Sequence, residues 1–316
     1  MAASAPDLHF RMIVQDDVAD SVPSGIEVLC RRRSSRVRRA LEGLRPVGPT
    51  ALVHGLDTDL PVQRGPMVAT IHDLTVFDLP WTTDRLRAVG ERLLVARSIR
   101  RADELIAVSA FTAERIRSRF GREATVVHSA PSPGLAPAAP EEIERVRKRY
   151  DLPATFVLYL GNIEPRKNIG LLAEAAVRAG LPLLVAGGRW GSGRSPTGAR
   201  ELGYVVDGDL PGLYGAATAF GFPSLYEGFG FPPLEAMACG VPVVASRIPA
   251  HEEVLGEAAE LAPLDDPAAW ADCLRALAAD PDRRAVRIRA GRERVESFSW
   301  ARTADQTVAV YRKLGL

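Results

Sequence analysis

The chain has 316 residues, about twice a typical domain, and 47% of them are hydrophobic, enough to bury two sizeable cores. A formal net charge of +1 provides no global field to select nucleic acid or an anionic membrane as partner. Cys30, Cys239 and Cys273 lie far apart with no CxxC spacing, which argues against a zinc site or a disulfide framework and fits a reduced cytoplasm, and no segment reaches the roughly eighteen apolar residues that span a bilayer.

HFRMIV, 9–14, reads as the first strand. RRRSSRVRR, 31–39, is the densest charge run and reads as a solvated helix face, with peripheral contact to anionic lipid headgroups as the alternative. From 50 to 129 apolar runs alternate with helical patterns: TALVHGL, MVATIHD, a helix through DRLRAVGERLLVARSIRRAD, ELIAVS, a helix from Thr112 to Phe120, and ATVVHS. Continuous apolar strands separated by helices predict a parallel sheet covered on both faces. PSPGLAPAAP, 131–140, breaks this alternation with four prolines and reads as a linker.

Beyond it come TFVLYLG, a helix from near Asn168, PLLVAGG, ELGYVV, a helix around Asp209 to Ala217, TAFGFPS, a helix from about Pro232, PVVAS and further helices, including a surface helix over DRRAVRIRAGRER, 282–294. The pattern predicts two Rossmann-like parallel α/β domains, 1–133 and 134–316, facing across a cleft. Ligands in such sheets bind at the carboxyl ends of the strands. The last helix, 299–316, is expected to pack back toward the N-terminal domain.

YEGFG, 226–230, follows the buried-strand pattern TAFGFPS and therefore falls in the cleft. Gly228 and Gly230 let the backbone approach a ligand and turn amides toward an anion. Pro232 and Pro233 suit the first turn of a helix, whose N-terminus then faces the same place. Glu235 is expected in that first turn and Glu227 on the preceding loop, so both carboxylates reach one polar ligand. The plainer alternative leaves Glu235 complementing the helix dipole and Glu227 solvated.

Several other motifs carry less. DTD, 57–59, and DGD, 207–209, spell a metal-binding triplet but read as turns, with Asp209 as a helix cap. GGRWGSG, 187–193, has the wrong order for a dinucleotide fingerprint and reads as a flexible loop. APSPG, 130–134, echoes a hydrolase nucleophile elbow, but prolines on both sides of Ser132 disfavour the strand-turn-helix that this needs. His72, beside Asp73 at a strand end, reads as functional, whereas His54, His128 and His251 read as structural.

FPSLYEGFGFPPLEAMACGVPVVAS, with two glutamates separated by seven residues, resembles the donor-site signature of the retaining glycosyltransferases of family 4, the group 1 family. LGNIEPRKNIGLL (160–172), TIHDLTVFDLPW (70–81) and RADELIAVSAFTAERI match further family elements in order, so the resemblance covers roughly 50–316. It implies the GT-B fold and a metal-independent transfer of a hexose, of mannose or glucose type, from a nucleoside-diphosphate sugar to an acceptor hydroxyl. No cofactor is implied beyond the UDP- or GDP-sugar, and the acceptor is a carbohydrate, a lipid-linked or a small molecule rather than nucleic acid.

By the same resemblance Arg166 and Lys167, after Gly161, bind the diphosphate, and Glu235 holds the ribose hydroxyls. Glu227, with the backbone at Gly228, Phe229 and Gly230, holds the transferred sugar, which His72 faces from the first domain. Tyr204 and Val205 lie along the nucleobase. Family members open with a strand, a glycine-rich loop and a long helix. HFRMIV resembles their second strand, which implies a first domain that is shortened naturally or by a start assigned too late and, as the alternative function, a non-catalytic nucleotide-sugar-binding relative without a complete acceptor site.

Overall fold

The computed structural model describes residues 4–15, 22, 26–31, 45, 47–48, 50–56, 60–62, 64–82, 84–188 and 196–316. The DTD triplet, residues 189–195 and all of the basic run 31–39 except Arg31, which ends a strand, lie outside these residues.

The N-terminal part holds a parallel pair, β1 (Arg11–Gln15) and β2 (Glu27–Arg31), and a four-stranded parallel sheet. The latter runs in the order β3 (Val53–Gly55), β4 (Met67–Ile71), β5 (Glu104–Ala107), β6 (Thr125–Val126). Strand periodicity divides its side chains between two layers. Met67, Ala69 and Ile71 of β4 and Leu105 and Ala107 of β5 pack with Ile99 and Ile116 from the Arg85–Arg101 and Ala110–Phe120 helices. Val68 and Ile106 point the other way, against Val310 and Tyr311 of the C-terminal Trp300–Lys313 helix. That helix also holds the linker: the Trp300 indole donates to the Pro131 carbonyl at 2.9 Å and Thr303 to the His128 carbonyl at 2.7 Å.

The C-terminal sheet has six parallel strands in the order β12-β11-β10-β7-β8-β9. These are β7 (Val157–Leu160), β8 (Leu183–Ala186), β9 (Ala199–Gly203), β10 (Ala219–Phe222), β11 (Val243–Ser246) and β12 (Glu260–Ala262). β7, β8, β10 and β11 are buried almost throughout, as strands covered on both faces must be. Trp270, Tyr159, Phe220, Phe222 and Leu172 fill the core. The chain enters at β7, winds outward through β8 and β9, then returns to the other side of β7 as β10. The winding thus reverses between β7 and β10, where the two diverging connections leave an opening.

Two helices are absent from the sequence reading: the single turn Thr75–Asp78 and Pro140–Arg149, which begins on the last proline of the linker. Its Val146 rests on Gly212 of the Leu210–Ala216 helix, where an added Cβ would lie 2.6 Å from Val146 Cγ2. Asp209 sits at the N-cap of that helix without capping it. Its carboxylate instead accepts from Arg145 at 2.7 Å, Arg149 at 2.9 Å and the Tyr150 hydroxyl at 2.8 Å, charged and phenolic donors that outcompete a backbone amide.

Candidate active site at the switch point

The loops after β7 and β10 are stitched together by their backbones. Pro165–Lys167 forms a single 3-10 turn after β7, and its Arg166 carbonyl accepts from Leu225 N–H at 2.8 Å. The Arg166 guanidinium returns the bond to the Tyr226 carbonyl at 3.1 Å. This brings four charges together. Glu227 Oε1 lies 2.5 Å from Lys167 Nζ and 3.1 Å from Arg166 Nη1, while Arg166 Nη2 reaches Glu164 at 3.0 Å. Lys167 and Glu227 are buried, and the Lys167 ammonium sits 4.8 Å from the centre of the Phe222 ring.

Burial alone would raise the Glu227 carboxyl, but Lys167 and Arg166 outweigh it and hold it down at about 2. Burial disfavours charge on Arg166 in the same way, and Glu227, Glu164 and Asp73 reverse that to keep it firmly protonated. The site is therefore a preformed cationic pair whose charge is balanced internally by two carboxylates, Glu227 and Glu164.

The glycine loop is shaped by two requirements. A Cβ on Gly228 would lie 1.7 Å from the His72 carbonyl oxygen, so only glycine fits the approach of the two domains. Gly230 adopts φ +99°, a left-handed conformation, and hands the chain to the Phe231–Ala238 helix, with prolines in its first turn. Phe229 is buried, its ring against Phe231 and Phe298.

Glu235 departs from the sequence expectation. The helix starts at Phe231, so Glu235 is its fifth residue and stands in the second turn rather than the first. It projects from the helix flank and is buried, with Oε1 accepting from Ser132 Oγ at 2.5 Å and Oε2 facing the Tyr214 hydroxyl at 3.4 Å. The ends of the signature thus form separate environments, Glu227 on the cations and Glu235 on two hydroxyls.

From the first domain, His72 lies exposed beyond the end of β4. Its Nε2–H donates to the Leu56 carbonyl at 2.8 Å, which leaves Nδ1 as an acceptor. Asp73 accepts from Thr75 N–H at 2.8 Å. Asp78, bound by Arg115 at 2.9 and 2.7 Å, also accepts from the Tyr226 hydroxyl at 2.9 Å, tying the residue before Glu227 to the opposite domain. A second tie runs the other way. Glu253 accepts from the Ala110 and Phe111 amides at 2.7 and 3.0 Å, at the N-terminus of the first domain's helix, and from His128 Nε2 at 2.8 Å.

The remaining site residues lie nearby in the fold with different exposures. Gly161 ends β7, its amide donating to Ala186 at 3.0 Å. Tyr204 is 75% exposed, whereas Val205 is buried in the core. His54 is locked between Tyr311 and Thr70, and His251 is fully buried with Nδ1–H on the Ser246 carbonyl. Tyr214, Asp78 and Glu253 went unnoticed in the sequence, and Ser132 was read only as part of the linker. Tyr226 alone had a local signal, its place beside Glu227.

Two family models match in succession, Glycosyltransferase Family 4 over residues 15–132 and Glycosyl transferases group 1 over residues 154–280. O-antigen chain mannosyltransferase B of Escherichia coli is 36% identical over 286 residues, covering 83% of this chain and 74% of that relative. D-inositol 3-phosphate glycosyltransferase of Saccharomonospora viridis is 33% identical over 261 residues, covering 72% of this chain but only 59% of that relative. Among solved structures, sucrose-phosphate synthase of Thermosynechococcus elongatus superposes with a TM-score of 0.76 at 22% identity, covering 99% of this chain and 90% of that one. Anabaena HepE, in complex with UDP and glucose, gives a TM-score of 0.76 at 17% identity, covering 99% and 94%. The two-domain architecture, the ordered pair of family matches and the signature at the switch point together make this chain a glycosyltransferase of family 4, the group 1 glycosyltransferases, with the GT-B fold.

Proposed function

We propose that this protein is a retaining, metal-independent hexosyltransferase that moves a mannose- or glucose-type sugar from a nucleoside diphosphate to an acceptor hydroxyl on a carbohydrate, a lipid-linked molecule or a small molecule. The observation that carries the reading is the convergence of Arg166 and Lys167 on one buried carboxylate at the switch point. A diphosphate entering there takes over the two cations, and Glu227, released from them, accepts hydroxyls of the sugar. Fixed positive charge then meets the charge that develops on the departing diphosphate, in a site already shielded from water, where such groups act most strongly.

Glu235 supplies acceptor sites for two adjacent ribose hydroxyls, and exposed Tyr204 offers a face to the base, UDP or GDP. The names of the relatives favour mannosyl transfer, and the HepE complex favours a uridine donor. Metal independence draws support from the cation pair and from Asp209, whose carboxylate is already engaged by two arginines and a tyrosine. No described helix is long and apolar enough to cross a membrane, and we place the reaction in the cytoplasm, with any membrane contact peripheral.

A thermal-shift screen of UDP-, GDP- and ADP-sugars identifies the donor, because a ligand bound only by the folded state raises its apparent stability. With that donor and an acceptor panel, transfer is expected to persist in EDTA and to fall at least a hundredfold in Lys167→Ala, about the loss on removing one preorganised charge donor. Strict dependence on added manganese overturns the metal-independent reading. An anomerically inverted product overturns the retaining one.

A further inference from the structure

We propose that Ser132, in the linker between the domains, is a positioning residue of the donor site: it orients Glu235 so that the carboxylate receives the two ribose hydroxyls of a nucleoside diphosphate. The proposal rests on the reading of Glu235 as the ribose-binding carboxylate. An ionised carboxylate offers about four lone-pair directions, two on each oxygen. The Ser132 hydroxyl takes one on Oε1 at 2.5 Å, and the Tyr214 hydroxyl faces one on Oε2 at 3.4 Å. One direction remains on each oxygen, the arrangement that a vicinal diol can fill with two parallel hydrogen bonds.

The two protein donors differ in origin. Tyr214 is fully buried in the same domain as Glu235, and burial with the nearby carboxylate keeps its hydroxyl protonated. Ser132 is solvent-exposed and 103 positions away in sequence, so the bond does not arise from local chain geometry. The serine is nonetheless held firmly. Prolines on both sides restrict its backbone, and the Pro131 carbonyl is anchored by the Trp300 indole at 2.9 Å. The C-terminal helix that holds Trp300 packs on the first domain's sheet, so the hydroxyl reaches Glu235 only while linker, helix and both domains are in register.

The test is calorimetric titration of wild type, Ser132→Ala and Ser132→Thr with the nucleoside diphosphate that wild type binds and with its 2′,3′-dideoxy analogue. Ser132→Ala is expected to weaken the ribose ligand about tenfold, the scale of one hydrogen bond to a charged group, while leaving affinity for the dideoxy ligand within twofold. Ser132→Thr is expected to restore binding. An equal loss for both ligands, or none for either, overturns the proposal by reducing Ser132 to a linker residue. If Glu235→Ala binds the ribose ligand as wild type does, the ribose role falls and this proposal with it. If wild type binds no nucleoside diphosphate at all, the donor reading itself fails.

Discussion

Glu227 faces two cations with one negative charge, and its substitution therefore has two separable effects. Glu227→Gln leaves buried Lys167 without its counter-ion and half-buried Arg166 with Glu164 alone, and is expected to destabilise the fold by about 3–5 kcal/mol, measured by urea unfolding. The same residue sets an acid limit. Its folded pKa, about 2, lies below its ordinary 4.5, so its contribution is complete above about 4.5 and is lost as pH falls toward 2. His54 and His251 act at higher pH. Burial lowers both to about 4, so an unfolded chain binds their protons near 6.5 while the folded chain refuses them, and stability drains as pH falls from 6.5 toward 4. Melting temperature should therefore decline in two stages, with the lower stage flattened in Glu227→Gln. A profile that is level from pH 7 to 5 would contradict the buried neutral histidines. At this scale the sequence reveals what is contiguous, such as Arg166 with Lys167. It conceals partners such as Ser132 for Glu235 and Glu253 for Ala110, whose pairing exists only after the chain is folded.

Among the elements, the C-terminal helix has the widest reach. It covers the first domain's sheet, fixes the linker and places the Tyr311 hydroxyl 2.6 Å from His54 Nδ1. Tyr311→Phe keeps the ring and removes the hydroxyl, stranding a buried imidazole nitrogen. The expected cost is about 1–3 kcal/mol by denaturant unfolding, and a change under about 0.3 kcal/mol would mean that His54 finds another partner. The strand and helix alternation was readable because β4, β7, β8, β10 and β11 are buried on both faces and so are continuously apolar. The Pro140–Arg149 helix escaped notice for the opposite reason: PEEIERVRKR offers two large apolar side chains, Ile143 and Val146, in ten residues. The three-residue β12 lacks length for any periodic signal. Glu235 was placed a turn too early because the helix begins at Phe231, ahead of the prolines that seemed to mark its start.

At the scale of the whole molecule, the domains are joined by contacts that run in both directions across the cleft. Asp78 receives Tyr226, Glu253 receives the first turn of the Ala110–Phe120 helix, and the rings of Phe111 and Tyr226 meet edge to face at 5.3 Å. The first of these ties holds the residue that precedes Glu227, so the Glu227 loop is fastened to the first domain as well as to its own. Tyr226→Phe, which keeps the ring contact and deletes the bond to Asp78, is expected to raise the KM for acceptor more than that for donor, because the proposed diphosphate and ribose groups, Arg166, Lys167 and Glu235, lie in the second domain. A loss confined to donor binding would show that the tie acts within the loop instead.

The meeting of Gly228 with the His72 carbonyl has a practical consequence. There is no clearance at that point for even a methyl group. An alanine there would act as a wedge, holding the halves of the enzyme ajar by more than an ångström while leaving Arg166, Lys167 and Glu235 where they are. Gly228→Ala should therefore yield a protein that still loads nucleotide, more weakly for the lost bond from Ser132 to Glu235, but is trapped before transfer, visible as a larger radius of gyration in solution scattering that does not shrink when nucleotide is added. Such a variant would separate capture of the donor from delivery of its sugar by a single carbon atom.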